Sequence, residues 1–338
     1  MKYDLIMKEL EQQISEGLIQ GAVLQSNRDD APICAGMQTK TLPMTANSRF
    51  DIASVGKTFT ATCCAILVAR GKLDPDAPFT EYIPEYYQGK DCKILVRDLA
   101  THSSGFDNSK PYHCMKPGPF EEKLFQLQPA WERRTRFHYS CANFILLGKI
   151  AERIMGKDLD EVARELIWAP LGMNDTTWYP PGDGPNEVLH HDPTRTPGEH
   201  NDNDCFCYEK PLGNGSCFTT VPDLLKFTKA LLGKTFFPKK VYDLIYTPDF
   251  DCEPPADRDA FTFGGTTRSF GWDMATYKRS NVFSKETITH SGYTGQSILV
   301  DPVNDFCSVI LTSRIGNHDI AAERRLRLAE ALFAANSK

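Results

Sequence analysis

Apolar residues recur at helical spacing near the start of the chain. Leu5, Ile6, Leu10 and Ile14 give an otherwise charged segment one apolar face, which predicts an amphipathic helix over residues 2–16. Residues 21–26 and 32–36 then flank the polar turn Arg28-Asp29-Asp30 and read as a β-hairpin. At the other end, residues 287–289, 297–301 and 307–312 read as three strands. Their connections, through Gly292 and Gly295 and through residues 302–305, are short enough for an antiparallel meander. A last helix is predicted over about 319–335, with Ala321, Leu326, Leu328 and Leu332 among its apolar positions. The middle differs. Residues 57–70, 142–154 and 222–232 carry helical patterns, separated by loops rich in Pro, Gly, His and Asn, above all 179–215. Strands at both ends with helices between predict a fold of class α/β plus all-α. Residues 1–60 and 270–338 form an antiparallel sheet flanked by the terminal helices, and a mostly helical lobe, 61–269, is inserted, with any site at the junction.

The 338 residues exceed what one core holds, since single cores stop growing at ~250–300 residues, in keeping with two lobes. With 38 basic and 44 acidic side chains the net charge is −6, and no long basic run is present, so neither nucleic acid nor an anionic membrane is an expected partner. The N-terminal stretch lacks the apolar block of an export signal, and a cytoplasmic location is the expectation. Eleven cysteines without framework spacing fit free thiols in a reducing compartment. Cys205-Phe206-Cys207 follows His190, His191, Asp192 and His200, but this spacing matches no standard zinc pattern. A polar loop with two small thiols, and no metal, is expected there.

Ser54-Val55-Gly56-Lys57 is the chain's one S-x-x-K, a pattern that about one chance match would supply. It opens the helical run 57–70, and Gly71 follows where a C-terminal glycine belongs. Two readings stand level. Ser54 is an ordinary N-capping serine with a solvated lysine one turn on; or the i,i+3 spacing puts hydroxyl and ammonium on one face, where the lysine handles the proton of a nucleophile.

The residues around it bear on this choice. Residues 50–61, FDIASVGKTFTA, resemble the nucleophile segment of the serine β-lactamase-related hydrolases, a group that includes class C β-lactamases, DD-carboxypeptidases, D-aminopeptidases and esterase VIII enzymes. The resemblance recurs in family order. Residues 99–105 (LATHSSG) are similar to an "LLTHTSG" turn, 137–148 to "F-x-Y-S-N-x-x-Y-x-L-L-G" and 170–176 to "PLGM-x-D-T". Residues 213–220 resemble a glycine-rich segment, and 290–295 (HSGYTG) an "H-T-G-x-T-G" strand.

The resemblance implies the penicillin-recognising fold and an acyl-enzyme on Ser54, with no cofactor. Lys57 would be the proton-handling partner and Tyr139 the second base, while the backbone N–H groups of Ser54 and Tyr293 would form the oxyanion hole. His290, Ser291, Gly292 and Cys141 would line the substrate. Cys141 stands where the family has an amide-bearing Asn, and His290 where β-lactamases have Lys; a thiol and an imidazole hold an amide and a carboxylate less well. Hydrolysis of a small ester or amide, ester first, is therefore the expected activity. D-amino-acid amidase or peptidase, β-lactamase-like or acyltransferase activity are the alternatives, and a slow-acylating sensor without turnover is a rival of another class.

Overall fold

The computed structural model describes residues 3–86, 92–182, 184, 186–188, 194–252 and 266–336. Eight strands form one antiparallel sheet: β1 (Ile19–Ser26), β2 (Ile33–Gly36), β5 (Phe250–Cys252), β6 (Thr266–Ser269), β7 (Trp272–Asp273), β8 (Ile288–Ser291), β9 (Gln296–Asp301) and β10 (Phe306–Arg314), in the order β2-β1-β10-β9-β8-β7-β6-β5. A separate ladder pairs β3 (Phe50–Asp51) with β4 (Phe218–Thr219). The hairpin, the meander and the three long middle helices all stand within a few residues of their predicted places.

Strand alternation sends side chains to two faces of the sheet. Ala22, Leu24, Leu299, Phe306 and Ile310 face the terminal helices, Asp4–Ser15 and His318–Ala335, which contribute Ile6, Leu10, Leu328 and Leu332. Val23, Ile298, Val300, Val309 and Leu311 face the main core, where the Val221–Gly233 helix packs on β9 and β10. The Lys57–Ala69 helix is buried from Lys57 through Leu67 and packs against the Cys141–Met155 and Lys239–Tyr246 helices. It is buried on every side, which is why its sequence shows little amphipathic contrast.

The expected architecture is present. β5 and β6, assigned by their sequence to the helical lobe, extend the sheet. Their residues, Phe-Asp-Cys and Thr-Thr-Arg-Ser, carry no apolar alternation, and their strand character comes from pairing with each other and with β7. Among the described residues no helix is long and apolar enough to cross a membrane.

Candidate active site

Ser54 lies in a tight 3₁₀ turn, Ala53–Gly56, that leads directly into the Lys57–Ala69 helix. The turn is built under strain: Ala53 has a φ of +45°, a region that L-residues seldom occupy. The surrounding backbone holds it there. Asp51 Oδ1 accepts from Ala53 N at 2.8 Å, and Ala53 O accepts from Ser216 N at 3.0 Å. Two glycines let neighbouring chain approach. A Cβ on Gly215, whose φ is +139°, would lie 2.5 Å from Ala53 O, and one on Gly292 would lie 2.6 Å from Ile52 O.

The Ser54 side chain makes no capping bond to the helix. Its Oγ instead receives two donors, the Tyr139 hydroxyl at 2.8 Å and Lys57 Nζ at 3.1 Å. Lys57 also donates to the carbonyl of Asn214, and its ammonium lies 5.0 Å from the centre of the Tyr139 ring. It is fully buried. Burial by itself lowers an ammonium's pKa, but attraction from the Tyr139 and Cys141 side chains and the bond with Tyr139 outweigh it and hold Lys57 above its usual range. The solvated-lysine reading of Ser54-x-x-Lys57 is thus excluded by geometry.

Tyr139 rests on His102, ring centres 4.4 Å apart. Asn143 Nδ2 donates to His102 Nδ1 at 3.1 Å, and Ser104 Oγ donates to Asn143 Oδ1 at 2.7 Å. Asn143 is therefore occupied beneath the site and does not replace the missing Asn at position 141. Cys141, at the start of its helix, is half-buried and lines the cavity. Burial, then the cations Arg268 and Lys57, push His102 well below the usual histidine range.

His290, on β8, is buried and lines the cavity with Ser291, Gly292 and Tyr293. Burial, with Arg268 and Lys57 nearby, lowers its pKa to about 3, so it is a neutral imidazole at neutral pH. Tyr293 stacks on His318 at 5.2 Å and lies under the Arg314 guanidinium. All of the expected site residues except buried Lys57 line one cavity of about 1390 Å³, and Lys57 reaches it through Ser54. Asn201, Asp202 and Asn203 also line it.

Three groups at this site carried no signal in the sequence pattern. Asp51 braces the turn that carries Ser54 and is so buried that its pKa rises to about 6. The Asn214 carbonyl receives Lys57. Arg268, on β6, lines the cavity at 7% exposure with its guanidinium over the Phe137 ring at 4.7 Å. Among the described residues it makes no direct ion pair; its register partner Asp273 bonds Arg279 at 2.7 Å and attracts the Arg268 guanidinium from further off. It stood in a stretch whose sequence did not read as sheet at all.

The sequence matches the family model described as Beta-lactamase over residues 7–333. It is 25% identical over 308 residues to a putative D-alanyl-D-alanine carboxypeptidase of Escherichia coli (strain K12), spanning 80% of this chain and 70% of that one. It is likewise 25% identical over 326 residues to an N-acetylmuramyl-L-alanine amidase of Bacillus subtilis (strain 168), spanning 83% and 69%. Among solved structures, EstCE1, a hydrolase with promiscuous acyltransferase activity, superposes with a TM-score of 0.79 at 18% identity over 98% of both chains. A class C β-lactamase gives 0.79 at 20% identity over 98% and 96%.

Proposed function

The chain belongs to the Beta-lactamase family and is a serine hydrolase of that fold; on this premise we propose that it cleaves a small ester or amide through an acyl-enzyme on Ser54. The observation that carries this reading is the convergence of Tyr139 and Lys57 on Ser54 Oγ, at 2.8 and 3.1 Å.

In the reactive form Tyr139 is the phenolate, balanced by the Lys57 ammonium. Ser54 Oγ adds to the substrate carbonyl while its proton passes along the same 2.8 Å line to the Tyr139 oxygen. The backbone N–H groups of Ser54 and Tyr293 receive the oxyanion. Collapse of the tetrahedral adduct breaks the bond to the leaving alcohol or amine, which takes the proton from Tyr139. Water then repeats the sequence, giving up its proton to Tyr139 as it adds to the acyl carbon; Ser54 leaves and recovers that proton.

Esters are the first choice of substrate. Cys141 offers no amide to a peptide or lactam backbone, neutral His290 supplies no charge, and an ester with a good leaving group needs neither. Arg268, one of the cations that line the pocket, then stands without an ion pair among the described residues, and an acyl donor bearing an anionic group beside the scissile bond is the substrate it would favour. A second reading, hydrolysis of a peptide or muramyl-type amide, is favoured by that same guanidinium together with the carboxypeptidase and amidase names of the sequence relatives.

Intact-protein mass spectrometry and a rate assay test both readings. Wild type and Ser54→Ala are incubated with p-nitrophenyl acetate, a penicillin and a D-alanyl amide. A Ser54-dependent adduct with sustained product release is expected, fastest with the ester. An adduct without release would identify a sensor, and identical behaviour of the two proteins toward all three would remove Ser54 from the chemistry. For Arg268→Met, KM for a succinate half-ester should rise at least 10-fold while that for an uncharged acetate ester stays near wild type; equal effects on the two esters would exclude a charge-reading role.

A further inference from the structure

The polar residues of the Cys-x-Cys segment find separate partners. Cys205 is buried, with its thiol on Asn214 Oδ1 at 3.6 Å, and His200 stacks on Phe218. His190, His191 and Asp192 lie outside the described residues. An unexplained charge lies elsewhere, on the His318–Ala335 helix. Its inner face carries Ala321, Arg325, Leu328, Ala329 and Leu332, so one arginine interrupts an apolar stripe. Arg325 is 3% exposed, and its Nε and Nη1 are buried with no hydrogen-bond partner. Among the described residues its guanidinium forms no ion pair. Burial and repulsion from Arg314 lower its pKa to about 10, which leaves it charged at neutral pH. A buried cation without an acceptor destabilises a fold, and an apolar side chain would fill the stripe better. Packing therefore does not account for Arg325.

What it faces does. Arg325 lines the same cavity as Ser54. β7 pairs with β8 only at Asp273↔Thr289, so on that side His290 and Ser291 have no strand beside them among the described residues. The cavity follows this open edge from one face of the sheet to the other. His290, whose register partner Ile298 belongs to the main core, lines it on the Ser54 side; Thr289 and its partner Leu299 line it under the terminal helix. Helix residues from His318 to Ala329 form the outer wall of this second arm. Tyr293 stacks on His318, and Arg325 follows His318 by seven positions. Arg325 therefore stands roughly 10 Å further along the helix than the Tyr293 contact, at about 1.5 Å per residue. Thr276 Oγ1, also buried without a partner, lines the cavity too. The carboxylates along this arm are already taken: Asp319 pairs with His318 at 3.0 Å, Glu323 with Arg327, and Asp273 with Arg279 at 2.7 Å. The whole cavity, about 1390 Å³, exceeds the usual ~300–1,000 Å³ of a small-molecule site, and an acetyl group at Ser54 would fill little of it.

We propose that this arm is an anion subsite, in which Arg325 receives the terminal carboxylate of an elongated substrate whose ester or amide bond lies at Ser54. One carboxylate supplies both the acceptors and the single negative charge that the buried guanidinium lacks. Arg268 then reads charge beside the scissile bond, and Arg325 reads charge at the far end of the chain. That the anion belongs to the substrate rests on the acyl-enzyme reading above; the binding site itself does not.

Two measurements separate these claims. The first is calorimetric titration of the full-length Ser54→Ala protein with suberic acid monoamide and with octanamide, which has the same chain without the charge. The monoamide is expected to bind more tightly. Adding Arg325→Met should weaken it by about 10-fold or more and leave octanamide unchanged, and Arg325→Lys should recover part of the loss. Circular dichroism establishes that each variant is folded. The second measurement keeps Ser54. Arg325→Met should raise KM for p-nitrophenyl hydrogen suberate by the same factor, while p-nitrophenyl octanoate and the shorter succinate half-ester stay near wild type. A monoamide that binds no more tightly than octanamide, or an Arg325→Met variant that weakens both ligands alike or neither, would overturn the subsite. The expected binding with no hydrolysis of the suberate half-ester would uphold the anion site and overturn its assignment to the substrate.

Discussion

At the scale of single residues, the site is governed by charges placed where water does not reach. His290 lines the cavity from β8, and its buried environment keeps it neutral. The consequence for stability has a definite sign. Above pH 6.5 the imidazole is neutral in both folded and unfolded chains. As pH falls from 6.5 toward about 3, only the unfolded chain takes up the proton, so stability falls by about 1.4 kcal/mol per pH unit from this residue. His290→Gln should therefore flatten the acid limb of the stability profile by that slope, read by denaturant unfolding between pH 7 and pH 4. Parallel profiles would mean that His290 is not held neutral. Asp51 acts in the opposite sense. Its raised pKa favours the folded chain as pH falls from about 6 toward the ordinary carboxylate range, softening the limb in both proteins equally.

At the scale of elements, the Ser54 turn depends on a close approach between two backbones. The β8–β9 turn carries Gly292 to within reach of Ile52 O, one residue before the strained Ala53. In Gly292→Ala the added methyl would meet Ile52 O at 2.6 Å and Gln296 Oε1 at 2.7 Å, so one backbone must yield. The β8–β9 turn and the Ser54 turn would separate, carrying the Tyr293 N–H, proposed above to receive the oxyanion, away from Ser54. Acylation by p-nitrophenyl acetate, measured in the pre-steady state, should slow by about 100-fold while the variant remains folded by circular dichroism. A wild-type acylation rate would show that Tyr293 N–H and Ser54 need no close register.

The whole molecule is closed by its ends. β1 pairs with β10 from Ile19↔Arg314 to Ser26↔Ser308, and the His318–Ala335 helix covers Leu24, Leu299, Phe306 and Ile310 together with the N-terminal helix. A chain ending at Gly316 would expose that apolar face across β1, β9 and β10. It should be recovered mainly in the insoluble fraction, or as aggregates on size-exclusion chromatography. A soluble monomer with a cooperative melt would show that the helical lobe and sheet suffice without the terminal layer.

Much of this protein was determined by sequence alone. The hairpin, the meander, both terminal helices and the three long middle helices follow from local periodicity, because each buries one face or one whole run of side chains and writes that burial into its spacing. Ser54, Lys57, Tyr139 and His290 were legible because they sit in short segments whose neighbours repeat a family's order. Other features exist only between segments far apart in the chain. β5 and β6 are strands through their pairing; Arg268 enters the pocket because β6 joins the sheet; Asn143 is turned to His102; and Asp204 meets His113 only when the Asn203–Tyr208 helix docks. Periodicity records which side of an element is buried. It carries no record of what lies against that side, and these contacts are decided by tertiary packing.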